Sequence, residues 1–279
     1  MKGKLILGIL LFYSLFISTT INQVQAQTTR FNRSTDFLLV HFDCKTDVDD
    51  LQSMASLATL LANPNYSNIN YHAVTGTYGV QEGLYVPPNA LLELAFKGHW
   101  TDAHKNVPLA VNEVLAQVKP VLENHGAIWI ADAGQSDFTA KLIKTIRANF
   151  PKVITEDRIH VVQHSDWNES VTYTEALRYV KKHSDYNKIA DGNGLNNGTP
   201  GFKDSTFTHW NTVVTDPKLV DIWELSIKIC NRYNGKQERY LNEAIAAGGL
   251  DFSDLSEVCW ILGIEDIKDI SDFFIRVLN

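Results

Sequence analysis

Apolar runs of strand length alternate with amphipathic stretches of helix length along most of this chain. Residues 36–42, which include Phe37-Leu38-Leu39-Val40-His41-Phe42, are almost continuously apolar, and that predicts a strand buried on both faces. The pattern then predicts a helix over 49–62, a strand over 70–77 and a helix over 87–97 opened by Pro87-Pro88, because proline suits a first helical turn. Val107–Val111 reads as a short strand and Val114–Glu123 as a helix. Further on, 127–132 reads as a strand, 138–149 as a helix, 159–163 as a strand and about 170–183 as a helix. Between 184 and 211 the pattern breaks into Asp191-Gly192-Asn193-Gly194-Leu195-Asn196-Asn197-Gly198, too polar and turn-rich for core, which reads as a loop with a task or a disordered lid. Helices are predicted again over 218–232, 238–247 and 255–262.

This alternation predicts an α/β fold, an open doubly wound, mainly parallel sheet with helices on both faces. In such sheets ligands bind beyond the carboxyl ends of the strands. Four segments occupy that position: 43–50, 76–79, 133–137 and 164–169.

The first residues change the picture of where the protein works. Met1-Lys2-Gly3-Lys4, the apolar stretch Leu5 to Ser18 and Val24-Gln25-Ala26 have the three regions of a secretory signal peptide, so residues 1–26 are set apart and 27–279 are taken as one domain. The expected location is secreted or periplasmic, with no stable membrane association after cleavage; a retained segment would act as an anchor. The net charge of −7 argues against a nucleic-acid partner, which needs a basic face. Three cysteines, Cys44, Cys230 and Cys259, are too few for a disulfide scaffold, and the latter two sit in apolar helical patterns as small core residues.

Candidate chemistry is concentrated in Asp43-Cys44-Lys45-Thr46-Asp47-Val48-Asp49-Asp50, directly after the first strand. Carboxylates this close repel unless a cation, a proton or solvent offsets them. An ordinary acidic helix start, with Asp47 as cap and Asp49 and Asp50 on the positive end of the helix dipole, explains part of the cluster and leaves Asp43 without a reason. Asp254, in Phe252-Ser253-Asp254 before the last of these helices, reads by position alone as a helix cap.

Together these segments resemble the calcium-dependent nucleoside hydrolase superfamily, whose opening motif is D-x-D-x-x-x-D-D. Asp43, Asp49 and Asp50 fall on its first, third and fourth aspartates. Ala73-Val74-Thr75-Gly76-Thr77-Tyr78-Gly79 resembles the second-strand motif, Asn89-Ala90-Leu91-Leu92 the helix after it, and Ala133-Gly134-Gln135-Ser136-Asp137 the glycine turn whose preceding carbonyl binds calcium. Thr208-His209-Trp210-Asn211 followed by Asp216-Pro217 resembles the ribose-binding A-E-F-N segment and its D-P, and Phe252-Ser253-Asp254 the late F-H-D. The likeness implies an exported hydrolase cleaving the N-glycosidic (ribosyl) bond of a nucleoside or related riboside. It implies Ca2+ held by Asp43, Asp49, Asp50, Asp254 and the Ala133 carbonyl, and a homo-oligomer as the family often forms. A carboxylate in that family takes a proton from the attacking water while others stabilise an oxocarbenium-like transition state.

The departures are as specific as the matches. Lys45 stands where the family has its second aspartate, a calcium ligand and the base, and an ammonium there cannot bind calcium. Asp47 or Asp49 is the substitute base, with Asp43 the remaining catalytic carboxylate. Val80 replaces a sugar-binding asparagine, His209 a glutamate and Ser253 a histidine. The strand-end loop offers His164 as proton donor and Asn168 and Glu169 as sugar ligands, or else an exposed turn with Trp167 as a packing plug. Asn193, His209 and Asn211 complete the substrate-binding candidates. Two competing readings remain: an inactive calcium- and sugar-binding relative that has lost its base through Lys45, and a phosphatase with Asp43 as nucleophile, which would want an aspartate at 45.

Overall fold

Six strands lie side by side in the order β3-β2-β1-β4-β5-β6 and all run parallel. They are β1 (Phe37–Phe42), β2 (Tyr71–Thr75), β3 (Trp100–Asp102), β4 (Ile128–Ala133), β5 (Ile159–Gln163) and β6 (Asp185–Lys188). A two-stranded antiparallel ribbon, β7 (Lys203–Asp204) with β8 (Leu250–Asp251), stands apart. The computed structural model describes residues 30–279; the segment read as a signal peptide, 1–26, lies outside them. Among the described residues no helix is long and apolar enough to cross a membrane.

The helices are α1 (Asp49–Ala62), α2 (Asn89–Phe96), α3 (Val107–Glu123), α4 (Asp137–Asn149), α5 (Thr155–Arg158), α6 (Asp166–Ser170) and α7 (Thr174–His183). After the polar segment come α8 (Trp210–Val213), α9 (Pro217–Tyr233), α10 (Glu243–Ala246), α11 (Ser256–Leu262) and α12 (Ile270–Leu278). Strand β1 shows why both faces need cover: Leu38, Val40 and Phe42 enter one apolar cluster with α1, α9, α11 and α12, while Phe37 and Leu39 enter another with α3, α4 and α7. All six of its residues are buried, as its unbroken apolar run requires.

Several boundaries differ from the sequence expectation for identifiable reasons. Val107–Val111 is not a strand but the first turns of α3, because the Asn106 side chain accepts from the Leu109 N–H at 3.0 Å and Pro108 fits the first turn. The neighbouring strand is instead Trp100–Asp102, whose three residues pair with β2 at the sheet edge and are too few to show a period. The helix expected over 238–247 shrinks to Glu243–Ala246: Gln237 and Glu238 have φ of 55° and 64°, outside helical geometry, and Asn242 caps the short turn that follows. The helix expected over about 170–183 starts at Thr174 as α7, and the loop expected before it holds the short α6. All three cysteines are free and buried.

Strand order reverses between β1 and β4, since the chain builds outward to β3 on one side and then from β4 to β6 on the other. The crevice beyond the carboxyl ends of β1 and β4 is therefore the binding position of this architecture. Asp43 follows β1 there and Gly134 follows β4.

Candidate active site

A cavity of about 610 Å³ opens at that crevice, with Asp43, Asp49, Asp50 and Asp254 on its floor. Carboxylate oxygens of Asp49, Asp50 and Asp254 all lie within 4.8 Å of one another, although Asp254 is some two hundred residues distant in sequence. The close approach of the β1 and β4 loops needs glycine at 134: its φ is +144°, and a Cβ there would stand 2.8 Å from Asp43 Cβ.

Each floor carboxylate is held by a specific donor. Asp43 Oδ1 accepts the Lys45 backbone N–H and Oδ2 accepts Gln135 Nε2, both at 2.7 Å. Gln135, fully buried, accepts the Gly79 N–H at 3.0 Å and so ties the loops after β1, β2 and β4 together. Asp50 Oδ2 accepts the Cys44 N–H at 2.7 Å, while its Oδ1 is buried without a partner. Asp254 accepts from Ser53 Oγ at 3.3 Å and faces His164 Nε2 at 3.3 Å. Neither capping reading survives, since the N-cap position of α1 is Val48 and that of α11 is Leu255, with no side-chain capping bond at either, whereas Asp49 and Asp50 do lie in the first turn of α1 as expected.

Burial and mutual repulsion push these acids toward the protonated form. The Asp43 carboxyl is raised to about 7 by burial and then by Asp254, against the donors from Lys45 and Gln135. Burial, then Asp251, raises Asp47 to about 7, and burial followed by neighbouring aspartates holds Asp49 and Asp50 well above the usual carboxylate range. Burial opposes charge on His164, but Glu257, Asp191 and Asp254 outweigh it and push the imidazole up. Glu257 itself is raised to about 7, chiefly by burial.

Of the residues singled out by sequence, Asp43, Asp47, Asp49, Asp50, Ala133, His164, Asn168, Asn193 and Asp254 all line this one cavity. Asp47 lies outside the converging trio, with long contacts of 3.4 Å from Asn242 Nδ2. Three others are not brought to the cavity lining. Glu169 turns to Lys181 at 2.8 Å and the Tyr186 hydroxyl at 2.6 Å. His209 is exposed and packs on Phe207, whose burial among Phe274 and its neighbours holds that segment away, and Asn211 is exposed in α8. Trp167 is no packing plug: it is 61 % exposed at the cavity mouth.

Other residues here gave little sequence signal. Lys203 pairs with the fully buried Asp251 at 3.0 Å and donates to Asn193 Oδ1 at 3.2 Å; Asn242 donates to the same Asp251 oxygen at 2.8 Å. Glu257 accepts the His164 backbone N–H at 3.0 Å from within α11. Lys45 lines the cavity, but its ammonium lies over the Tyr78 ring, 4.4 Å from the centroid, and makes no ion pair among the described residues.

The donor set suits a hard divalent cation. Several carboxylate oxygens converge from separate chain segments, one of them buried and unpartnered, and their repulsion is relieved by positive charge. Comparison of the chain with protein-family models and with curated proteins gave no match in either case.

Proposed function

We propose that this chain is an exported calcium-dependent hydrolase of the nucleoside hydrolase kind, cleaving the N-glycosidic bond of a nucleoside or related riboside. The observation that carries the reading is the convergence of Asp49, Asp50 and Asp254 on the floor of the switch-point cavity, with Asp50 Oδ1 left unpartnered. Asp49, Asp50, Asp254, Asp43 and the Ala133 carbonyl would hold the ion. When bound, calcium supplies positive charge that offsets the floor and a centre for hard oxygen ligands of the substrate.

The chain's own residues then have separable tasks. Asp47, in the cavity but outside the trio, accepts the proton of the attacking water. The floor carboxylates stabilise positive charge developing on the sugar ring. Asp43 is held by Lys45 N–H and Gln135, so its orientation is set before substrate arrives. His164, wedged between Asp254 and Glu257, positions Asp254. Asn168 and Asn193 supply amides for sugar hydroxyls.

Lys45 favours a second reading, because it occupies a position where a base is expected and lines the same cavity. An inactive relative would keep the calcium and sugar sites and lack turnover. Its ammonium is drawn to Tyr78 instead of the carboxylates, which supports the enzyme reading. The test is release of reducing sugar from a panel of nucleosides and ribosides by purified protein with calcium present. Release that stops on chelation is expected, whereas calcium binding with no release from any member establishes the inactive relative.

A further inference from the structure

We propose that the cavity wall formed by Lys45, Thr46 and Gln81 binds an anionic substituent of the substrate, a phosphoryl or carboxylate group carried on the sugar. This rests on the reading of the acidic floor as a sugar site. The cavity is divided in its hydrogen-bonding character. Its floor, Asp43, Asp49, Asp50 and Asp254, is built of acceptors, which suits a cation and the hydroxyls of a sugar. The wall beside it offers donors.

Lys45 belongs to the same loop as the floor aspartates, yet its ammonium is laid over Tyr78 at 4.4 Å from the ring centroid and makes no ion pair among the described residues. The other cavity lysine, Lys203, is already compensated by Asp251 at 3.0 Å and occupied by Asn193 at 3.2 Å. Of the two cavity lysines, Lys45 is thus the one whose charge no carboxylate offsets among the described residues. The aromatic face holds an ammonium in place without neutralising it, so its capacity for charge-assisted hydrogen bonds remains.

The neighbours of Lys45 extend that capacity. Thr46 Oγ1 accepts the Tyr240 backbone N–H at 3.3 Å, which leaves the hydroxyl proton to be donated elsewhere. Gln81 Oε1 is buried without a partner, so its amide nitrogen is the end available to a ligand. The backbone N–H groups of Thr46 and Gln81 make no hydrogen bond among the described residues. The two loops that carry these groups are locked together: Val86 N–H donates to the Cys44 carbonyl at 2.8 Å, and a Cβ on Gly83 would meet Thr46 Cγ2 at 2.2 Å. A ribose whose ring hydroxyls meet the floor presents its exocyclic C5 substituent to a wall, and a donor wall with one free cation selects an anion there.

Calorimetric titration of ribose, ribose 5-phosphate and riburonate into the calcium-loaded protein tests this without relying on turnover. The wild type is expected to bind one of the two anionic sugars at least about tenfold more tightly than ribose, the increment of a charge-assisted contact. Preference for the phosphate or for the carboxylate identifies the substituent. Lys45→Met removes the preference with ribose affinity unchanged, Lys45→Asp reverses it, and Gln81→Leu weakens it severalfold. Equal affinity of the wild type for all three sugars, or a preference retained in Lys45→Met, overturns the proposal and leaves the sugar reading standing. Failure of every sugar to bind overturns both.

Discussion

Replacing Asp43 by asparagine separates the cost of the acidic floor from its use. The unfolded chain loses the Asp43 proton near pH 3.8, whereas the folded protein keeps it to about 7. Between those values the native state binds more protons than the unfolded chain, so stability falls as pH rises through the window and the whole penalty is present above 7. The interval of about three pH units corresponds to as much as ~4 kcal/mol at 1.36 kcal/mol per unit. Asparagine keeps the shape and still accepts the Lys45 N–H, but loses the bond from Gln135, whose amide is held in its orientation by the Gly79 N–H on its carbonyl oxygen. In chelator at pH 8, Asp43→Asn is therefore expected to unfold later than the wild type, by roughly 8 °C once about 1 kcal/mol for the lost hydrogen bond is taken from the ~4 kcal/mol. At pH 4 the gain disappears. In calcium the difference narrows, because at a hundred times its Kd a ligand adds about 2.7 kcal/mol to the wild type and less to a variant with a weakened site. Thermal unfolding followed by circular dichroism at both pH values, with calcium and with chelator, gives the four numbers needed. An Asn variant less stable than wild type at pH 8 in chelator, with no response of either protein to calcium, would refute the account of the floor.

Asp47→Asn is expected to lower kcat by about 10² to 10⁴ with calcium affinity within a fewfold of wild type, measured by steady-state kinetics beside calorimetry. His72 is buried against Thr101 Oγ1 at 2.9 Å and its pKa is lowered to about 4 by burial and neighbouring histidines, so the fold loses about 3 kcal/mol as pH falls from 6.5 to 4. His72→Gln should remove that part of the acid sensitivity in urea titrations across the window. Asn106→Ala is expected to cost about 1 kcal/mol by the same assay, since it removes the cap of a helix where the apolar pattern alone reads a strand.

Long periodic segments were the legible part of the fold, and the particular failures have physical causes. Helix α1 begins and ends where its pattern does, and β1, β4 and β5 are apolar because both faces are covered. Strands β3 and β6, with three and four residues at the two sheet edges, are too short and too polar to display a period. The short run Val107–Val111 is equally apolar as a strand or as a helical first turn, and the cap at Asn106 decides it. In the site, Asp43, Asp47, Asp49 and Asp50 announced themselves by crowding in sequence after a strand, whereas Asp254 read locally as a helix cap and was marked for the site only by the family resemblance. Glu169 and Asn168 are neighbours in one short helix, yet only Asn168 lines the cavity, because Lys181 and Tyr186 draw the glutamate away. Lys203 meets Asp251, and Glu257 meets His164, only through tertiary packing, and no local pattern marks them.

Titrating calcium into the wild type and into Asp254→Asn in a calorimeter tests most directly whether residues two hundred positions apart make one metal site. A single site per chain in the wild type, weakened at least about tenfold by the isosteric change while the protein remains folded, is the expected result. Calcium affinity that is unaltered by Asp254→Asn, or absent from the wild type, would contradict the site and the hydrolase built upon it.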